Sequence, residues 1–123
     1  MISYDDFKKV EIRAGKILTA EKIPDTDKLL RLTVDFAESE EITKEDGTKE
    51  VKPKPRQIVS GISAYFPDPA TLAGKTCMFV TNLEPRKIRG FDSNGMLFAV
   101  STESGAFSLL EPNDSIPPGT LAK

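Results

Sequence analysis

A chain of 123 residues has room for one domain and one hydrophobic core, and at 38% hydrophobic residues it can fill that core. No apolar run approaches the roughly 20 residues needed to cross a bilayer, and the acidic opening Met1-Ile2-Ser3-Tyr4-Asp5-Asp6 is unlike a secretory leader, so a cytoplasmic protein with no membrane partner is expected. With no histidine and one cysteine, Cys77, the chain lacks the means for the usual zinc sites, for a Ser-His or Cys-His nucleophile pair and for an internal disulfide; no cofactor is expected and no catalytic residue is assigned.

Taken in chain order, Ser3 followed by Tyr4, Asp5, Asp6 and Phe7 predicts a short helix, with a hydroxyl cap and acids where the helix dipole favours them. Residues 10–23 read as a long strand. Val10, Ile12 and Ala14 share one phase and the apolar residues beyond Gly15 lose it, which predicts a bulge or sharp bend at that glycine. Pro24-Asp25-Thr26-Asp27 is turn chemistry. Leu30, Leu32, Val34 and Phe36 alternate with Arg31, Thr33 and Asp35 as a half-buried strand. Residues 37–55 form a polar excursion in which Asp46-Gly47 suits a two-strand ribbon.

Residues 57–62 read as a short strand, and Tyr65 to Gly74 as a helical turn or short helix capped by Gly74. Residues 76–81 are a buried strand, and within it Cys77 reads as a small core residue. Residues 82–94 are a charged loop with a strand-like stretch around Lys87 to Arg89. Residues 95–101 read as another buried strand, 107–110 as a last short one, and the Pro- and Gly-rich tail from Glu111 as irregular. Five main strands, one of them bent, with a short helix between the third and fourth and a C-terminal extension over 102–123, outline a single all-β domain of the OB-fold barrel type.

The net charge of −2 is unevenly spread. Residues 35–51 carry seven acids against Lys44 and Lys49, a net of −5. Residues 52–92 carry seven basic residues against Asp68, Glu84 and Asp92, a net of +4. A phosphate backbone responds to charge within a Debye length of roughly 8–10 Å, so the local surplus outweighs the total.

Several stretches carry a family pattern. Asp6-Phe7-x-Lys9-Val10-x-Ile12-Arg13-x-Gly15-Lys16-Ile17 and Pro24-Asp25-x-Asp27-Lys28-Leu29-Leu30 come first. Arg56 to Ile62 follows, then Asn82-Leu83-x-Pro85-x-Lys87-Ile88-Arg89-Gly90 and Ser93-Asn94-Gly95-Met96-Leu97. In this order and spacing they resemble the tRNA-binding domain family, which occurs in methionyl-tRNA synthetases and as a free-standing protein. The resemblance implies an OB-fold that binds tRNA by shape and backbone without catalysis, and forms that pair into homodimers. It also implies a link to methionyl-tRNA synthetase, as a free-standing partner or an excised appendix. The acidic excursion departs from the family pattern, since relatives have a shorter connection there; it either points away from the RNA or lowers the affinity.

Candidate RNA-binding residues follow from chemistry and resemblance together. Arg86, Lys87 and Arg89 in the charged loop, and Arg56 at a strand start, offer cations to phosphate. Lys28 lies in the loop after the first strand, one that OB-folds use for oligonucleotides. Ser60, Asn82 and Ser93 offer small polar groups at strand ends, although Asn82 and Ser93 equally suit bonds that hold loops. Met96 offers a polarisable surface for a base, and is equally suited to the core. Tyr65 and Phe66 read as packing, and Phe91 as the better exposed aromatic. A dimer contact is expected from the segments after residue 101 and the outer face of the barrel. The rival reading is an export-chaperone-like OB-fold module that binds peptides.

Overall fold

The computed structural model describes residues 1–123. A single helical turn, α1 (Tyr4–Phe7), starts where Ser3 Oγ accepts from the Asp6 N–H at 3.1 Å. The strands that follow are β1 (Ile12–Lys22), β2 (Leu30–Asp35), β3 (Ser39–Thr43), β4 (Lys49–Pro53), β5 (Arg56–Ser60), β6 (Thr76–Val80), β7 (Arg86–Ile88), β8 (Phe91–Ser93), β9 (Met96–Leu97), β10 (Ala99–Ser101) and β11 (Phe107–Leu109). Five of them pair antiparallel in the order β5-β2-β1-β6-β9 and curl into a nearly closed barrel of OB type. The other six pair as two-stranded ribbons: β3-β4, β7-β8 and β10-β11.

β1 serves both sides of the barrel. Ile12 to Lys16 pair with β6, and Lys16 to Lys22 pair with β2. The register with β2 slips between Ile17 and Thr19, so Leu18 bulges outward while Ile17 is fully buried. The bulge therefore lies past Gly15, where the loss of phase had placed it. Gly15 answers a different need. The ring of Phe36 crosses directly over it, and a Cβ there would stand 2.5 Å from Phe36 Cε1 and 2.7 Å from Val34 Cγ1. Phe36 then meets Phe79 edge-on at 5.2 Å between centroids, at the centre of a core that includes Ile17, Leu30, Leu32, Val34, Ile58 and Leu97. Cys77 joins this core with no exposure, and burial pushes its thiol up to about 11. It is an inert core residue, as read from its neighbours.

Other expectations are refined. The segment between β5 and β6 forms two single turns of 3₁₀ helix, Ser63–Tyr65 and Pro69–Leu72, in place of one short helix. Pro67 and Pro69 account for this, because each removes a backbone donor and biases its predecessor away from the helical region. Residues 95–101 are two strands, not one buried strand. The chain leaves β6 at Phe98 and takes β11 as its new partner, so Leu97 is buried while Val100 is 57% exposed. Tyr65 stacks on Phe107 at 4.0 Å and 11°, and Phe66 meets the same ring edge-on, so both pack as expected.

The tail is ordered against the barrel. The Ala14 N–H donates to Thr120 O (2.9 Å), the Gly119 N–H to Ala14 O (2.7 Å) and the Ala122 N–H to Ile12 O (2.8 Å). The tail thus satisfies the edge of β1 that β2 leaves free, and Arg13 Nη1 donates to Gly119 O. A polar cluster ties this end together. Glu11 accepts from Arg13 Nε and from the Thr81 hydroxyl. Arg56 forks onto Glu38 (2.7 and 2.9 Å), donates to Thr81 O (2.6 Å) and lies over the Phe36 ring.

Two outcomes follow. Gly15→Ala drives a methyl into two fixed core side chains and is expected to lower stability by about 1–3 kcal/mol, read as a lower urea midpoint at an unchanged slope. The second concerns acid. Hydrogen bonds from Arg13 and Thr81 hold the Glu11 carboxyl below its ordinary value of 4.5, and those from Arg56 do the same for Glu38. A depressed folded pKa supplies stability that is complete above the unfolded value and lost as pH falls through the folded one. Stability is therefore expected to fall as pH drops below 4.5, and the fall should be shallower in Glu38→Gln when followed by urea titration across that range.

Candidate nucleic-acid interface

The charged loop read from the sequence is a hairpin. Ile88 faces Phe91 across a two-residue turn, Arg89-Gly90, in which both residues have positive φ (52° and 84°). A side-chain-bearing residue at the first turn position is what hid the hairpin, since Arg-Gly is a weaker turn signal than Asn-Gly. What read as a strand around Lys87 to Arg89 is thus one strand and half of its turn.

The hairpin lies along the free edge of β5 and reaches Arg31 of β2. The Gln57 side chain donates to Asp92 O (2.9 Å), the Asn94 N–H donates to Gln57 O (2.8 Å), and the Val59 N–H donates to Ser93 Oγ (3.0 Å). Phe91 is half-buried, with the Arg31 guanidinium over its ring at 5.1 Å. Arg31 is in turn paired with Glu21 at 2.9 Å. These contacts carry the turn at Arg89 to the loop that joins β1 to β2. There Asp25, Thr26, Asp27, Lys28, Leu29 and Arg89 line a shared depression of about 450 Å³.

The expected site residues separate into groups. Lys28, Arg86, Lys87 and Arg89 are exposed. Lys28, Arg86 and Arg89 form no ion pair, and Lys87 makes only a loose one, 4.0 Å from Asp92. Ser60 is half-buried and paired with Leu30, so it stands at the same end of the barrel as Lys28. Arg56 commits three of its five N–H donors to Glu38 and Thr81, and its charge is paired with Glu38. Asn82 accepts from the Glu11 N–H (2.8 Å) and donates to Lys9 O (2.6 Å), so it clamps the segment after α1. Ser93 is 5% exposed and spends its hydroxyl on Val59 and Gly95. For Asn82 and Ser93 the loop-holding alternative is the one the geometry shows. Met96 is 44% exposed, so it is not core, but it pairs with Val80 beside Ile12, at the opposite end of β1 from Lys28.

The sequence reading passed over two contributors, Arg31 and the acids of the β1-β2 loop. Arg31 looked like an ordinary outward residue of an alternating strand. Only the three-dimensional position of Phe91 shows that it pins the hairpin.

The acidic excursion is a ribbon whose strands pair only with each other, from Ser39 opposite Pro53 to Thr43 opposite Lys49. It leaves the barrel after Asp35, whereas Lys28 enters β2 at Leu30. Six residues of strand put its base about 17 Å from the Lys28 end, beyond a Debye length of roughly 8 Å at physiological salt. No helix is long and apolar enough to cross a membrane.

Comparisons with known proteins bear on the family and the fold. Residues 12–121 match the family model described as "Putative tRNA binding domain". The methionine–tRNA ligase of Methanoregula boonei is 45% identical over 120 residues, covering 98% of this chain and 15% of the ligase. That of Enterococcus faecalis is 36% identical over 118 residues, covering 96% of this chain and 16% of the ligase. The chain thus spans about 15% of the length of the curated relatives it matches. Among solved structures, a MetRS related protein from Pyrococcus horikoshii superposes with a TM-score of 0.80 at 34% identity, covering 100% of this chain and 98% of that one. The chaperone CsaA of Bacillus anthracis gives 0.75 at 28% identity, covering 100% and 99%. By sequence and by barrel, this chain belongs to the tRNA-binding domain family.

Proposed function

We propose that the chain is a non-catalytic module that holds tRNA by shape and backbone, through the rim where the β1-β2 loop meets the β7-β8 hairpin. The observation that carries this reading is the convergence of Lys28 and Arg89 on one depression, with Arg86 and Lys87 on the same hairpin. Cations held on a pinned hairpin lose little freedom on binding, and phosphate attraction needs no base identity. Ser60 lies at that end of the barrel and is assigned a polar contact by position. Arg56, Asn82 and Ser93 are read as the frame, and Met96 as surface outside the rim.

The matched segments of methionine–tRNA ligases support a role beside that enzyme, presenting tRNA to it as an attached or separate module. A second reading has its own observation. Tyr4, Phe7, Val10 and Leu121 form the apolar part of a mixed groove between α1 and the end of the tail, which Lys8, Lys9, Arg13 and Lys123 also line, and the neighbours by structure include a chaperone. Peptide binding would use this groove and not the cationic rim.

The groove also supports self-association. Tyr4 is 75% exposed, Phe7 48% and Leu121 43%, and Val100 and Leu110 add exposed apolar surface from the segments near and after residue 101. We place a homodimer contact there, on the tail and the N-terminal turn.

K87E/R89E is expected to weaken tRNA binding at least about tenfold and to reduce the slope of log K against log salt by about two, with the circular dichroism spectrum unchanged. Fluorescence titration against bulk tRNA, single-stranded RNA and a peptide pool over a salt series reads this, and an unchanged affinity for tRNA removes the hairpin from the interface. Preferential, salt-insensitive binding of peptides would favour the second reading. For the dimer, sedimentation equilibrium at micromolar protein is expected to return twice the mass of 13.5 kDa, and F7E/L121E to return the monomer. A monomeric wild type overturns the contact.

A further inference from the structure

The depression between the two loops holds more than cations. Its six lining residues include two carboxylates, Asp25 and Asp27, facing the same space as Lys28 and Arg89. None of these four side chains forms an ion pair, with each other or elsewhere, and none makes a hydrogen bond within the protein. Both acids are exposed, and the neighbouring Thr26 hydroxyl is turned inward onto Ile23 O at 2.8 Å. If this rim received phosphate alone, two carboxylates would oppose the ligand there and only Lys28 and Arg89 would attract it.

A ligand suited to all four groups must present donors and acceptors together on one small rigid body. An unstacked nucleobase does this, and single-stranded elements of folded RNA offer such bases to proteins. Guanine matches the charge pattern best. Its N1–H and N2–H₂ form adjacent donors that a carboxylate accepts side by side, and its O6 and N7 form adjacent acceptors that Lys or Arg reads. Adenine and cytosine each offer a single exocyclic donor group, and uracil a single ring N–H. Leu29, the one apolar lining residue, is half-buried at the same wall and offers a surface for the base to lie against.

We propose that this depression is a guanine-selective subsite, in which Asp25 and Asp27 accept from the N1–H and N2–H₂ edge of an unpaired guanine while Lys28 and Arg89 donate to O6 and N7. The inference rests on the RNA-binding reading given above and adds base discrimination to a surface otherwise built for phosphate. Asp25 has a positive φ of 62°. Asparagine tolerates that conformation at least as well as aspartate, so the test below leaves the loop backbone in place.

The test uses the sign of an effect. Asp25→Asn with Asp27→Asn removes two negative charges beside the proposed RNA contact. If the acids are bystanders, less repulsion makes tRNA bind more tightly. If they accept from a guanine, the same double variant binds tRNA about five- to a hundredfold more weakly, the range expected for losing one good base-reading pair, even though its net charge is more favourable. A second arm uses mononucleotides as probes. GMP is expected to shift the backbone amide resonances of residues 25–29 and of Arg89, with IMP, which lacks the N2 amino group, weaker, and with AMP, CMP and UMP close to inorganic phosphate. Equal or tighter tRNA binding by the double variant, or equal shifts from all five nucleotides, overturns the guanine subsite while leaving the RNA reading intact. Failure of the wild-type chain to bind tRNA overturns the reading on which it rests.

Discussion

The β5-β9 seam is where the barrel closes, and the position of the candidate interface depends on it. β9 has only two residues, and no ladder joins it to β5. At this seam one side chain and one backbone amide take the place of a ladder: Ser93 Oγ accepts from the Val59 N–H, and the Asn94 N–H donates to Gln57 O. A buried N–H without a partner costs about 1–3 kcal/mol, so Ser93 closes the core and anchors the hairpin that carries Arg86, Lys87 and Arg89. Closure of the barrel and placement of the candidate interface therefore share a buried residue.

Opposite ends of the barrel are specialised in different ways. At one end Glu11, Arg13, Glu38, Arg56 and Thr81 saturate one another and bind the N-terminal segment, the tail and the base of the acidic ribbon into one cluster. At the other end the charged groups around Lys28 and Arg89 are left unengaged. The contrast matters for reading function from charge. Arg56 and Arg89 count equally toward the surplus of residues 52–92, yet one is engaged within the fold and the other is not. Likewise the ribbon's acids lower the net charge of the whole chain without lying at the Lys28 end.

How much was legible beforehand varies with the kind of signal. The alternation of Leu30, Leu32 and Val34 identified β2 because burial on one face imposes a period of two. The Asp46-Gly47 pair identified the ribbon because that turn needs a residue with positive φ, which Gly47 supplies at 85°. The phase change in β1 was real, but its bulge falls at Leu18, since Gly15 is required by the ring of Phe36 packed upon it. A glycine conserves no record in the sequence of which neighbour excludes its Cβ. The hairpin turn at Arg89 was missed for a related reason: its positive φ is imposed by the contacts of Phe91, Ser93 and Gln57 further along and across the sheet, and not by the turn residues alone.

The sequence by itself determined a one-domain, all-β chain with a barrel outline, a basic stretch separated from an acidic one, and an ordered set of motifs that places it in its family. Those features are local, set by periodicity, turn chemistry and charge along the chain. Only the tertiary structure decided which of the candidate residues are available. It engaged Asn82, Ser93 and Arg56 in bonds that hold the fold, with Ser93 buried and Asn82 still exposed, set Met96 at the far end of β1, and brought Lys28 and Arg89, 61 positions apart in the numbering, to one depression with Asp25 and Asp27. The physical reason is that a polar side chain is available to a ligand only when the fold has not already satisfied it, and partners distant in sequence decide that.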